Sequence, residues 1–286
     1  MGKTKIQWSD MTWPVVSGCS PVSEGCRMCY AARMAATRLQ LHQRYAGLAT
    51  FSDGKAKWTG EVRLNHDVLE QPLHWKKPRR IFVASMSDLF HPDVPAGFIY
   101  DVFKIMCKTP QHTFQVLTKR PHRMRDFVYA WSGGQIFAKA SFAKLHPNIH
   151  LGVSVENQAA ADERREYLRQ CPAAVKFVSY EPALGPVDWT GWEFASQIIS
   201  GGESGPGARR SHPNWHRATL DFCQENDIAY FMKQWGRWLP LSQASQRLVD
   251  SYPAPKEFYD VGKKAAGHML DGRTWQEFPV STRVSA

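Results

Sequence analysis

Nothing in the 286 residues is apolar for long enough to cross a bilayer, so a helical membrane span is excluded. The opening stretch MGKTKIQWSD has no apolar core of the kind a secretory signal needs, and the chain reads as cytoplasmic with no membrane partner. Internal repeats and low-complexity tracts are also absent, which argues against solenoids and disordered tails. Acidic residues are in short supply, 26 against 36 Lys and Arg, for a net charge of +10. That imbalance suits a polyanionic partner, nucleic acid before others, although a solvated basic surface has the same composition. Cysteine is scarce too, six in all, and three of the six fall in Cys19–Cys29.

What is present is a repeated alternation of short apolar runs and helical patterns. The runs at 12–16, 80–85, 113–118, 149–155, 175–180, 197–201 and 228–233 are continuous in β-branched and aromatic residues. Strands covered on both faces, as in parallel sheets, read this way. Helical periodicity occupies 29–45, 95–108, 121–131, 158–171 and 213–226. Strand, loop and helix recur in that order, which predicts an α/β chain built as a partial or full (β/α) barrel. Residues 131–148 read as an insertion, and 182–196 are too rich in Pro and Gly for a crossover helix. The rhythm stops after Gly236, so the expected division is a barrel over 1–236 and a C-terminal extension over 237–286.

Polar residues follow nearly every predicted strand. They are Ser85, Ser87 and Asp88; Thr118, Lys119 and Arg120; Ser154, Glu156 and Asn157; Ser179 and Glu181; GGESGPGARR at 201–210; and Lys233 with Gln234. In a (β/α) barrel such positions gather at the C-terminal rim, where the chemistry is placed. The cysteine loop follows the first strand and belongs to the same rim. Its spacing is C-x6-C-x2-C, and the C-x2-C half offers two thiolates from one turn, with Gly18 and Gly25 expected to allow the bends. Cys107, Cys171 and Cys223 stand alone in helical patterns and read as small buried hydrophobes. Three local ligands are one short of a structural zinc site or a ferredoxin cluster. A four-iron cluster on three cysteines keeps one iron open, as in radical S-adenosylmethionine (SAM) chemistry. A remote histidine completing a zinc site is the alternative.

Several of these readings have two sides. The glycines of 201–204 suit either close approach to a ligand or a tight turn. Asn157 reads as a helix cap, whereas Glu156 suits a ligand. The basic run HWKKPRR at 74–80 precedes its strand and is expected to be solvated at the opposite end.

The runs TWPVVSGCSPVSEGCRMCYA, FVASMSDLFH, VLTKRP, LGVSVENQ, FVSYEPALGPV, ISGGESGPGARR and FMKQWG, in that order over 6–238, resemble the phage-encoded three-Cys-motif proteins. That family is grouped near radical SAM enzymes and is distantly like spore photoproduct lyase. The usual C-x3-C-x2-C motif has here a first gap of six residues, with Met28 before Cys29 and the aromatic Tyr30 after it. The resemblance implies a [4Fe-4S] cluster on Cys19, Cys26 and Cys29. It implies S-adenosylmethionine held by Tyr30, Ser85, Ser87, Asp88, Ser154, Glu156, Gly201, Gly202 and Glu203. It also implies hydrogen abstraction from a substrate, an external electron donor and the three-Cys-motif partner protein as a possible associate. With the charge, it points to a nucleic-acid substrate whose phosphates meet Lys119, Arg120, Arg209, Arg210 and Lys233. The other readings are a non-enzymatic nucleic-acid-binding protein with a structural metal and a hydrolase using rim carboxylates.

Overall fold

A computed structural model describes residues 4–133 and 145–279. Most of the insertion expected at 131–148 lies outside the described residues. The chain is α/β. Its seven expected strands are β1 (Met11–Trp13), β2 (Arg80–Val83), β3 (Thr113–Thr118), β4 (Ile149–Ser154), β5 (Lys176–Tyr180), β6 (Gln197–Gly201) and β7 (Ala229–Gln234). They form one sheet in chain order, and the registered pairs are parallel. This is the strand order of a partial (β/α) barrel. Five helices follow strands: α1 (Tyr30–Ala36), α2 (Ala96–Lys108), α3 (Pro121–Ser132), α4 (Gln158–Gln170) and α5 (Pro213–Glu225). Pro121 and Pro213 open α3 and α5, where a missing N–H costs nothing. Asn157 caps α4 as expected, its side-chain oxygen accepting from the Ala160 N–H at 3.0 Å.

By contact density the chain divides into two compact units. The first holds β1–β3, most of β4, and Arg164–Lys176. Its core is aromatic. The rings of Phe103 and Phe127 lie 5.0 Å apart, and that of Trp131 is 5.5 Å from Phe103. Trp13 is fully buried and donates its indole N–H to the Val68 carbonyl at 2.8 Å. A buried indole needs such a partner, and this bond ties the end of β1 to the segment before β2.

Two local expectations in this unit give way. The run 12–16 is not one strand, because Pro14 has no N–H to donate; β1 stops at Trp13, and Val16–Ser17 pairs antiparallel with Arg63–Leu64. The helix expected over 29–45 ends at Ala36, where Thr37 leaves helical geometry and its hydroxyl bonds back to the Arg33 carbonyl at 2.7 Å. A hairpin of Ala49–Ser52 with Lys55–Trp58 follows. Asp53 and Gly54 turn it, both at positive φ, as a two-residue hairpin turn demands.

The second unit holds Ser154–Glu163 and everything described from Phe177 onward. Trp189 and Trp192, buried in the Pro/Gly-rich stretch, pack with Tyr180 and Phe222. The C-terminal residues run along the outer edge of β7. The Met232 N–H donates to the Trp275 carbonyl at 2.8 Å, and the Glu277 N–H to that of Tyr230 at 3.0 Å. Covering the edge removes unpaired backbone groups that would otherwise invite another strand.

Candidate functional site

The cysteine loop leaves β1 through Gly18, whose φ is +88°; a Cβ there would sit 2.1 Å from the Glu61 carbonyl oxygen. Only glycine tolerates both conditions. Gly25, by contrast, lies inside the 3-10 turn Glu24–Cys26 and supplies no such bend. That turn passes into the next, with the Cys29 N–H donating to the Cys26 carbonyl at 3.3 Å, so the C-x2-C pair shares consecutive turns. Cys29 then caps α1.

Each sulfur faces a nitrogen donor. The Val22 N–H points at Cys26 Sγ at 3.4 Å, the Ala32 N–H at Cys29 Sγ at 3.5 Å, and Arg120 Nη1 lies 3.9 Å from Cys19 Sγ. Burial pushes the Cys19 thiol up to about 12; the Asp88 charge adds to this and Arg120 opposes it. Burial also raises Cys29, against the pull of the Ala32 and Ala31 amides and the Trp58 indole. A cationic metal centre is what such desolvated thiols need in order to ionise. Among the described residues, no group of three or more His, Cys, Asp or Glu side chains is placed so as to hold a metal ion. The donors aimed at the sulfurs do fit a thiolate-held cluster, whose charge such hydrogen bonds stabilise.

Residues 85–88 close over this loop. Ser87 Oγ donates to the Val16 carbonyl at 2.7 Å, and the Tyr30 hydroxyl to the Ser85 carbonyl at 2.7 Å. Tyr30 remains half exposed beside the loop. Asp88 is buried and pairs with Arg120 at 2.9 Å. Lys119 is half-buried, and its N–H reaches Asp88 at 3.2 Å. His91, which the sequence sets apart from the cysteines, lies with Nε2 2.8 Å from Ser20 Oγ. Burial and then Arg120 lower its pKa, which keeps it neutral.

The second unit carries the other predicted residues. Ser154 and Glu156 are buried. Gly202 is a glycine because a Cβ would meet the Trp235 carbonyl oxygen at 2.1 Å; Gly201 is less crowded, with the Gln234 carbonyl oxygen at 3.3 Å. Glu203 is buried and accepts from the Arg209 backbone N–H and Nε, both at 2.9 Å, and from Nη2 at 2.6 Å. The 203–209 loop is thus closed by its own carboxylate. Arg210 lies over the rings of Trp238 and Phe258, at 4.9 and 5.4 Å. Lys233 pairs with Glu181, whose other oxygen accepts from Gln234 Nε2 at 2.8 Å.

Residues 3–279 match the family described as "Protein of unknown function (DUF5131)". The chain belongs to the DUF5131 family. No curated protein matches it. Among solved structures, a spore photoproduct lyase mutant with dinucleoside spore photoproduct aligns at 12% identity and a TM-score of 0.41, over 90% of this chain and 64% of that one. A further lyase mutant, with bound AdoMet and dinucleoside spore photoproduct, aligns at 12% identity and a TM-score of 0.38, over 86% and 61%. The DUF5131 chain spans 55% to 64% of the length of the lyases it matches.

Two features of this DUF5131 chain escape sequence reasoning. The first is Trp58, brought to Cys29 by the hairpin; the Asp53-Gly54 pair was its available signal. The second is the buried trio Ser200, His216 and Ser211. His216 Nδ1 lies 2.6 Å from Ser200 Oγ and Nε2 lies 2.8 Å from Ser211 Oγ. Burial, with His212 adding to it, pulls the His216 pKa down to about 3. The unfolded chain takes up a proton at this histidine near the ordinary value of about 6.5, and the folded chain refuses it. The contribution to stability is therefore whole above that pH. It falls as pH drops toward about 3, by up to ~1.4 kcal/mol per unit. Denaturant midpoints between about pH 6.5 and 5, above the carboxylate range, should decline in the wild type. The decline should become shallower in His216→Gln without vanishing, because burial also lowers His150, to about 4; parallel curves would remove His216 as a source.

Proposed function

We propose that the chain is a radical SAM-type enzyme whose [4Fe-4S] cluster is held by Cys19, Cys26 and Cys29. The observation that carries this reading is the set of nitrogen donors aimed at the three sulfurs of one short loop. Buried neutral thiols have little use for such donors, whereas ligating thiolates do. When bound, the cluster with S-adenosylmethionine supplies one-electron cleavage of the cofactor and, from it, a radical that takes hydrogen from a substrate.

The work of the chain is to bind and shield. Gly18 fixes where the loop leaves the sheet, the paired turns present Cys26 and Cys29 together, and α1 begins on the last cysteine. The backbone of 85–88 covers the loop from the side of β2, with Tyr30 anchored on the Ser85 carbonyl. The Ser85 and Ser87 segment, next to the loop, is our assignment for the methionine end of the cofactor. The net charge of +10 supports a nucleic-acid substrate for base modification or repair.

Anaerobic reconstitution with iron and sulfide, then incubation with S-adenosylmethionine and a strong reductant, tests the reading. The expected result is a coloured iron–sulfur protein that releases 5′-deoxyadenosine. A colourless protein holding one zinc tightly would instead mark a structural metal and defeat the proposal.

A further inference from the structure

We infer that Arg120, paired with Asp88, is a positioning residue for the cysteine loop and not a ligand for substrate phosphate or cofactor. The cluster part of this inference rests on the reading above; the loop part stands without it.

The Arg120 and Asp88 side chains are only 8% and 6% exposed. Asp88 Oδ1 accepts from Thr118 Oγ1 at 2.7 Å and the Phe90 N–H at 2.9 Å. Its Oδ2 accepts from Arg120 Nη1 at 2.9 Å and the Lys119 N–H at 3.2 Å. A carboxylate has about four acceptor positions, and all are filled by the protein. None is left for the amino group of a cofactor.

Both terminal nitrogens of Arg120 are committed as well. Nη1 bonds Asp88 and faces Cys19 Sγ at 3.9 Å, while Nη2 donates to the Ser20 carbonyl at 3.0 Å and to Ser20 Oγ at 2.8 Å. Ser20 Oγ is in turn held by His91. The fork therefore has one prong on the loop after β2 and the other on the cysteine loop, and it springs from the end of β3. Three successive strand ends are stapled through one planar group. Lysine, a single point charge on a flexible stem, cannot bridge them in this way.

A buried ion pair is a poor investment for stability alone, because desolvating both charges offsets their attraction. What this pair does contribute is a fixed position for Cys19 and Ser20, with an N–H donor held beside one sulfur. Groups behind a ligand typically set metal affinity by about 10- to 100-fold.

The test uses the full-length protein with two variants. Asp88→Asn/Arg120→Gln removes both charges, so no lone buried charge is left behind, and Arg120→Lys keeps the charge but loses the fork. In the metal-free protein, hydrogen exchange of the amides of 18–26 should quicken by about tenfold or more in both variants, as expected of a freed local segment. After reconstitution, the double variant should lose iron to a chelator about 10- to 100-fold faster than wild type. Arg120→Lys, which keeps the charge pair, should not restore the amide protection. Loop exchange and iron retention within about twofold of wild type, in a folded variant, would overturn the inference. If the double variant fails to fold, Arg120→Lys decides by the same loop readout. Should wild type itself hold no iron, the radical SAM reading fails, and amide exchange still decides the positioning role.

Discussion

Alanine at Cys26 is expected to abolish iron uptake and the release of 5′-deoxyadenosine, to below about one hundredth of wild type, while leaving the fold intact. Loss of a residue behind a ligand already costs about 10- to 100-fold in metal affinity, and loss of a ligand itself should cost more. Cys26 sits in a half-exposed turn, and the contact that its sulfur loses is one long bond from the Val22 N–H, so little packing goes with it. Cys19→Ala and Cys29→Ala should behave alike. Cys107→Ala and Cys223→Ala are the controls. Cys223 is fully buried in α5, and its truncation costs packing but should leave iron content unchanged. Iron and sulfide analysis beside visible spectra would check this. Iron retained by Cys26→Ala would show that the loop is not the metal holder.

Gly18→Ala should be the most damaging single-methyl change near the site, destabilising the protein by about 3 kcal/mol. Two costs combine. The positive φ of +88° strains any residue with a Cβ, and that Cβ would lie 2.1 Å from the Glu61 carbonyl oxygen and 3.2 Å from a Leu48 methyl. The obstructing atom is backbone, so no rotamer change relieves it. Gly60→Ala separates the two costs, because Gly60 also has positive φ, +97°, but open space around its Cβ position. It should lose only the strain, about 1–2 kcal/mol. Thermal melts of the three proteins would rank them. Equal losses in Gly18→Ala and Gly60→Ala would mean that the close approach to Glu61 is relieved at no cost.

Much of this architecture was legible because the signals are local. Strands such as 113–118 and 197–201 were read to the residue, since fully buried strands write themselves as continuous apolar runs. Pro121, Pro213 and Asn157 marked helix starts by their own chemistry. The failures are also local in cause. Pro14 cut a strand, Thr37 ended a helix whose apolar pattern continued, and Asp53-Gly54 turned a hairpin that the helical reading ran up to. The proposed site was legible only as a set of residue types at strand ends. Asp88 and Arg120 stood as separate ligands for cofactor and phosphate, yet they are partners of each other 32 residues apart. Glu203 and Arg209 were separated in the same way and are likewise paired.

By itself, then, the amino-acid order determined the alternation of strands and helices, their chain-order sheet, and the loop that carries three cysteines. Periodicity, capping and turn chemistry act over a few residues, so they can be read along the chain. Only the tertiary structure decided which charges are spent on neighbours and which glycines are required by an approaching backbone. Those outcomes depend on segments far apart in sequence meeting where water is excluded, and an unpaired charge or a stray methyl there costs enough to dictate its partner.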